Sequence, residues 1–148
     1  MSSLLLFNIT NPREYMLHTA MVNRGNVSPF QALLAGDESW EGWNDHAPAK
    51  QPFNKKYLFS TARIPGKQHL WLFGGIYEVQ KRPAAKQTRG KGITEYDIKL
   101  LSLGEEYRRR LILHFDRSKW KQRVRIPMDA GIVKSLRVEE MLPDIFSH

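Results

Sequence analysis

The stretch KKYLFSTARIPGKQHLWLFGGIYEVQK, residues 55–81, decides the fold that the sequence predicts. Residues 55–64 and 69–81 each alternate apolar and polar side chains, which is the pattern of a half-buried β-strand. Pro65 and Gly66 lie between the two runs and are residue types that tight turns favour. We therefore predict that this stretch forms a β-hairpin.

Other parts of the chain supply further strands to pair with this hairpin. Gly74 and Gly75, inside its second strand, predict a bulge or a close backbone approach. Long crossover helices are missing from the pattern, which excludes a doubly wound α/β fold. The predicted class is mainly β (α+β), a small closed or nearly closed β-barrel with short peripheral helices. The remaining predicted strands are residues 4–9, 93–103, 111–115 and 122–126, and the predicted helical segments are residues 29–35, 105–109 and 133–142.

The clearest helix signal begins at Ser28, an N-cap residue followed by Pro29 at the first helical position. Gly36 marks the end of this helix. Residues 37–54 come next and contain two tryptophans. Because flexible linkers do not carry two tryptophans, we predict an ordered loop there.

The composition is that of one domain spanning residues 1–148, with 41% hydrophobic residues to build a core. The chain contains no cysteine, which excludes disulfides, thiolate zinc sites and cysteine nucleophiles. It has no apolar run long enough to cross a membrane and no secretion signal. We therefore expect a cytoplasmic protein without a membrane partner. The usual nucleotide-binding loop motifs are absent, and no cofactor is expected.

The net charge of +8 is concentrated in two blocks. Residues 50–91 carry ten basic residues and one acidic residue, and residues 107–125 carry eight basic residues and one acidic residue. Two such blocks indicate a polyanionic partner such as nucleic acid. We expect residues 82–92 to form a mobile basic loop. Trp120 would either stack on or wedge into an opened duplex, or be a covered aromatic residue of the surface. The predicted phosphate-contacting and backbone-contacting residues are Lys81, Arg82, Lys86, Arg89, Lys91, Arg117, Lys119, Trp120, Lys121 and Arg123.

The motif WEGWN at residues 40–44 stands close in the sequence to Phe53, Tyr57 and Phe59. Aromatic walls and an amide are what a pocket for a flat nucleobase needs, because rings stack on its faces and the amide binds its edge. The alternative is that these aromatic side chains fill the interior of the barrel. The pattern by itself leaves both interpretations open.

A small metal-dependent nuclease is a further interpretation. Asp97 and Lys99 form a D-x-K triplet on a predicted strand, and Glu78 lies one strand earlier. In such a site the carboxylates would hold a divalent ion and the lysine would favour the attacking water. Triplets of this kind arise often by chance, and the five histidines lack metal-binding spacing. We therefore expect recognition rather than catalysis.

Four short motifs follow one another along the chain: NPREY at residues 11–15, WEGWN at residues 40–44, LFS at residues 58–60 and GGIYEV at residues 74–79. In this order they resemble the PUA-like superfamily, and most of all its EVE branch, which is related to YTH and ASCH domains. The sequence also resembles amino-terminal sensor domains that are joined to GIY-YIG nucleases in bacteria. A nuclease domain would then lie beyond residue 148.

The resemblance implies a domain that holds one flipped, modified base in an aromatic cage and grips the flanking backbone with basic loops. Asn44 and Ser60 would donate or accept hydrogen bonds at the base edge. The implied function is the specificity module of a modification-dependent restriction system in phage defence, with DNA as partner and no catalysis of its own. An RNA reader of YTH or PUA type is the alternative. The implied pocket residues are Trp40, Trp43, Asn44, Phe59, Ser60 and Tyr57.

Overall fold

The computed structural model describes residues 6–117, 124–129 and 136–142. Within these ranges, eight strands form a curled sheet that resembles half of a barrel, which confirms the predicted mainly β, barrel-like class. In chain order the strands are β1 (Tyr15–Ala20), β2 (His46–Pro48), β3 (Tyr57–Arg63), β4 (Leu70–Lys81), β5 (Ile93–Leu100), β6 (Leu111–His114), β7 (Arg125–Pro127) and β8 (Arg137–Met141).

The sheet has the strand order β2-β5-β4-β3-β1-β7 and forks at the long strand β4. Residues 77–81 of β4 pair with β5, whereas residues 70–72 pair with β6, which in turn pairs with β8. β1 and β3 are parallel, and β1 and β7 are antiparallel. β3 and β4 form the predicted hairpin, with its turn at residues 65–66. This order places β1 in the middle of the sheet, with a paired neighbour on each side.

The predicted bulge lies at Gly74, where the register of β3 and β4 shifts opposite Ser60 and Thr61. A side chain at Gly74 would collide with the ring of Trp40, whose Nε1–H donates to the Gly74 carbonyl at 3.2 Å. Gly75 has a φ of 122°, a conformation that glycine adopts without strain. Gly74 therefore lets the Trp40 indole pack directly against the backbone of β4, whereas a side chain at Gly75 would meet Leu100 and Arg108.

Helix α1 (Pro29–Leu34) begins at the predicted N-cap, Ser28. The Ser28 hydroxyl accepts a hydrogen bond from the backbone of Gln31 at 3.0 Å, and the Gln31 side chain accepts one from the backbone of Ser28 at 2.9 Å. This reciprocal pair is a capping box. Short 3-10 helices cover Pro12–Glu14, Glu38–Trp43, Ala84–Lys86 and Glu105–Tyr107. In the described ranges, no helix is long and apolar enough to cross a membrane.

The predicted strand at residues 4–9 is wrong. Residues 4 and 5 lie outside the described part of the chain. Leu6 and Phe7 are helical, and Asn8 follows in a turn with a φ of 54°. Phe7 is fully buried, and its ring centroid lies 5.1 Å from that of Phe59. A short apolar run fits a buried helix as well as a buried strand, so its pattern could not separate the two.

The predicted helix at residues 133–142 is also wrong. Its residues 133–135 lie outside the described part, and residues 137–141 are strand β8, paired with β6. Val138 stands opposite Leu113 and packs against the core. Pairing with the open edge of β6 outweighs the weak helical pattern of this segment. Of the strand predicted at residues 122–126, the first two residues are not described, and β7 begins at residue 125.

Both faces of the central hairpin are covered by apolar side chains. Phe59 and Phe73 belong to one buried cluster, and Ala62 and Leu72 belong to a second cluster that includes Trp40. The second cluster also contains side chains of α1. It therefore fixes the segment with the two tryptophans onto the sheet.

Candidate nucleic-acid interface

A cavity of about 330 Å³ opens beside the end of β1, where the loop after β1, strand β2, the start of β5 and the start of β7 come together. This volume lies at the lower end of the range for ligand sites, roughly 300–1,000 Å³. The lining side chains that matter for its chemistry are His18, Arg24, Trp43, His46, Ile93 and Arg125.

Trp43 forms the aromatic wall of the cavity and is held from two sides. Its Nε1–H donates to the carbonyl of Val22 at 2.8 Å, and its ring stacks on Trp40 with 6.3 Å between centroids and 28° between planes. The guanidinium of Arg24 lies 5.2 Å from the Trp43 ring centroid, within cation–π range. Trp43 is therefore a fixed, largely buried aromatic wall, with Trp40 and the Arg24 guanidinium packed against its ring.

His18 contributes a hydrogen-bond acceptor, and its tautomer follows from its neighbours. The Asn44 amide nitrogen donates to the Trp40 carbonyl at 2.9 Å, which directs Oδ1 of Asn44 toward Ser60 and His18. Oδ1 accepts the hydroxyl of Ser60 and lies 2.9 Å from Nδ1 of His18. Because Oδ1 can only accept, Nδ1 carries the proton and Nε2 is the acceptor nitrogen.

The His18 ring is neutral at physiological pH. Burial, followed by the charge of Arg125, lowers its pKa to about 3, against the weaker opposing effect of the Asn44 hydrogen bond. A neutral imidazole that uses its only N–H internally can accept a hydrogen bond from a ligand but cannot donate one.

Arg125 contributes a cation that lacks a counter-charge. One terminal nitrogen donates to the carbonyl of His46 at 2.9 Å, and the guanidinium lies 5.0 Å from the ring centroid of Phe53. Burial lowers the pKa of Arg125 to about 10, so it stays charged at neutral pH. Its buried Nε has no hydrogen-bond partner, and no described carboxylate forms an ion pair with it. Such a group favours a ligand with a carbonyl or anionic oxygen.

The residues that the sequence predicted for an aromatic cage do not all reach this cavity. Trp43 lines it, and Trp40 supports Trp43 from behind. Asn44 and Ser60 are fully buried, hydrogen-bond to each other and act through His18, so the predicted direct contacts with a base do not fit their placement.

Phe59 and Tyr57 lie elsewhere. Phe59 is fully buried in the core, where its ring centroid is 4.9 Å from that of Phe73. The ring of Tyr57 packs on Tyr15 at 4.9 Å, and Lys56 lies over it. Phe59 is thus part of the core and Tyr57 is a half-buried ring packed against that core, and neither lines the cavity.

Most of the cavity residues were missed by the sequence-based prediction: His18, Arg24, His46 and Ile93 were not predicted, and Arg125 was included only as part of a basic block. His18 and Arg125 lie in short strands, and Arg24 lies in the loop after β1. The available signal was a single polar residue within an apolar run, since His18 follows YML and precedes TA. A lone polar residue does not indicate which other segments of the chain will lie against His18.

The basic loop at residues 82–92 is tied down rather than free. Glu95, 5% exposed, accepts hydrogen bonds from the Thr88 hydroxyl at 2.9 Å and from the Arg89 backbone at 3.0 Å, and it pairs with Arg82 at 3.2 Å. The backbone hydrogen bond from Thr88 is the main reason that the pKa of Glu95 is lowered. The expectation of a mobile loop overlooked this buried carboxylate.

The predicted phosphate-contacting residues therefore fall into groups. Arg82 and Arg89 are engaged by Glu95, and also by Asp97 and Asp45 respectively. Arg117 stands apart from these two residues and lines a separate depression. Lys81, Lys86 and Lys91 are exposed and form no ion pair with a described residue. The remaining predicted residues, Lys119, Trp120, Lys121 and Arg123, lie outside the described part of the chain.

The three residues considered for a nuclease lie on an exposed face of the sheet. Glu78 stands opposite Lys99, and Asp97 binds the Arg82 guanidinium at 2.9 Å. Among the described residues, no group of three or more histidine, aspartate or glutamate side chains is placed to hold a metal ion. This geometry offers nothing that favours the nuclease interpretation.

Comparison of the chain with protein-family models, with curated proteins and with solved structures finds no match. The resemblance to PUA-like domains therefore stays a prediction from the four motifs.

Proposed function

We propose that this domain binds nucleic acid and holds one flipped nucleobase in the cavity beside Trp43. In its most specific form, the proposal is a PUA-like reader of a modified base in DNA that acts as the specificity module of a modification-dependent restriction system. The domain would recognise its target, and cleavage would belong to a fused or associated nuclease.

One observation carries the proposal: both basic blocks lead to the same cavity. Residues 50–91 end next to Gly92 and Ile93, which line it, and residues 107–125 end with Val124 and Arg125, which also line it. Lysine and arginine side chains supply the charge that attracts a nucleic-acid backbone. A polyanion drawn to these blocks is thereby brought to the opening of the cavity.

The chemistry of the cavity suits the edge and the face of a base. Arg24, held over the Trp43 ring, offers a guanidinium plane for stacking, His18 offers an acceptor for a ligand N–H, and Arg125 offers donors to a ligand oxygen. Unstacking a base costs a few kcal/mol, and each aromatic stacking contact returns about 1–3 kcal/mol. Stacking and edge contacts together can therefore offset the cost of flipping.

The test places a charged side chain at the opening of the cavity and leaves the residues of its interior unchanged. Ile93 lines the cavity and is 36% exposed, so Ile93→Glu places a bulky charge there at little cost in stability. The matched control is Met141→Glu, because Met141 is 41% exposed on β8 and adds the same charge away from the cavity lining. Binding is measured by fluorescence anisotropy on duplexes with 5-methylcytosine, N6-methyladenine or no modification, and on single-stranded RNA.

We expect the wild type and Met141→Glu to prefer one modified duplex by about tenfold or more, a difference of about 1.4 kcal/mol. Ile93→Glu should lose that preference and keep only weak, salt-dependent binding. Equal binding of all duplexes by the wild type would reject the modified-base reader, and tighter binding of single-stranded RNA would favour the RNA reader.

A further inference from the structure

A second, smaller depression of about 160 Å³ adjoins the cavity, because Met21 lines both. Its other lining residues are Arg63, Gln68, His69, Trp71, Asp116 and Arg117. Two of these are arginines, and one is a carboxylate, which is half-exposed and lies 3.7 Å from Nδ1 of His69. The depression is therefore lined by more positive than negative charge.

Trp71 presents a buried donor at this depression. Its indole is fully buried and stacks on Phe115 with 5.0 Å between ring centroids and 8° between planes. The Nε1–H has no hydrogen-bond partner among the described residues. A buried donor left unpaired is unfavourable, so an acceptor that reaches this N–H from the depression would form the missing hydrogen bond.

Arg63 and Arg117 approach the depression from different parts of the chain, at the end of β3 and after β6. Both side chains line the same depression, and burial, followed by the charge of Arg63, lowers the pKa of Arg117. An anion placed between two like charges replaces their repulsion with two attractions.

We propose that this depression binds a single phosphate group of a nucleic-acid backbone, with Arg63 and Arg117 as its charged ligands and the Trp71 N–H as a neutral donor. The inference rests on the proposed function, since the phosphate would belong to the strand whose base enters the neighbouring cavity. Phosphate oxygens accept charge-assisted hydrogen bonds from guanidinium groups, often two from one arginine. The shared wall at Met21 places the two sites next to each other.

The first test is the salt dependence of binding by Arg63→Gln. Arg63 is exposed at the end of its strand, so this change should leave the fold intact. Lys67→Gln is the matched control, because Lys67 is an exposed cation in the adjacent turn that does not line the depression. We expect Arg63→Gln to weaken duplex binding by about tenfold and to reduce the slope of log K against log salt by about one. Lys67→Gln should do neither.

The second test identifies the source of the phosphate. A series of duplexes carries one uncharged methylphosphonate at each position around the target base, and inorganic phosphate is titrated separately by calorimetry. One methylphosphonate position should weaken wild-type binding and have no further effect on Arg63→Gln. Equal loss in both proteins at every position would overturn the proposal, and so would tight binding of inorganic phosphate alone.

The outcomes also separate the two proposals. If Arg63→Gln binds like the wild type while Ile93→Glu loses the preference for a modified base, the phosphate site is wrong and the proposed function stands. If Ile93→Glu keeps that preference, the base cavity itself is wrong.

Discussion

At the scale of single residues, His18 links the buried interior to the cavity. Its Nδ1–H donates to Asn44, and the Ser60 hydroxyl donates to the same oxygen of Asn44. This network fixes the ring and leaves Nε2 as the acceptor. Asn44 and Ser60 are therefore positioning residues that set the tautomer of His18 and do not touch a ligand themselves.

The pH dependence of the free energy of unfolding should reflect the protonation of His18. Its pKa is about 3 in the folded protein and about 6.5 in the unfolded chain. As pH falls from about 6.5 toward 3, the unfolded chain binds a proton that the folded protein does not. The free energy of unfolding should therefore fall by up to about 1.4 kcal/mol per pH unit from this residue. Urea unfolding between pH 7 and pH 4 measures it.

The comparison that isolates this effect uses two variants. His18→Gln should be less stable at pH 7 but lose less stability on acidification than the wild type. His69→Gln, in which the replaced side chain is 44% exposed, should keep the wild-type slope. Parallel curves for His18→Gln and the wild type would contradict the buried, neutral state of His18.

At the scale of secondary-structure elements, the bulge in β4 decides where Trp40 packs. Gly74→Ala would push a methyl group into the Trp40 ring. Because neither the indole nor the β4 backbone can move away freely, we expect a loss of about 1–3 kcal/mol in the free energy of unfolding. Chemical denaturation measures this change.

Gly92→Ala provides the control for Gly74→Ala. A Cβ at Gly92 meets no atom within 4 Å, and its φ is not in the left-handed region. Gly92→Ala should therefore be close to neutral or slightly stabilising. A similar loss in both variants would show that glycine content, and not the contact with Trp40, determines the effect.

The basic loop at residues 82–92 should become accessible when Glu95 loses its charge. Glu95→Gln removes the carboxylate that binds Arg82 and the backbone of Thr88 and Arg89. We expect trypsin to cleave this loop several-fold faster, because local opening exposes its basic residues.

Glu78→Gln is the control for the trypsin experiment, since Glu78 is an exposed residue of β4 and makes no contact with the loop backbone in the described hydrogen bonds. Cleavage of Glu95→Gln at the wild-type rate would mean that Glu95 does not hold the loop.

At the scale of the whole molecule, strand order creates the cavity. β1 pairs with β3 on one side and β7 on the other, and this brings His18 next to Arg125. β2 pairs with β5, which brings the tryptophan segment next to Ile93. Residues separated by more than 100 positions in the chain thereby form one wall.

Much of the fold was predictable because it depends on local signals. Alternation predicted β3 and β4, the turn residues predicted their connection, and Ser28 with Pro29 predicted the start of α1. The predictions failed at residues 4–9 and 133–142, where a short pattern was compatible with two structures. In both cases residues distant in the chain decided the secondary structure. They are the aromatic rings around Phe7 for the first segment and the open edge of β6 for the second.

The candidate site was predictable only in part. Of WEGWN, Trp43 lines the cavity, and the ends of the two charge blocks adjoin residues that line it, while a role in base binding stays a prediction. The roles of Asn44 and Ser60 could not be predicted, because the sequence does not show whether an amide side chain contacts a ligand or a buried histidine.

The sequence by itself determined the class of fold, the central hairpin, the capped helix and the concentration of positive charge in two blocks. Each of these depends on side chains that follow one another closely in the chain. Only the tertiary structure decided that His18 is a neutral acceptor and that, among the described residues, Arg125 has no counter-charge and the Trp71 N–H has no hydrogen-bond partner. Those properties arise from burial and from neighbours far away in the chain, and neither can be read from local order alone.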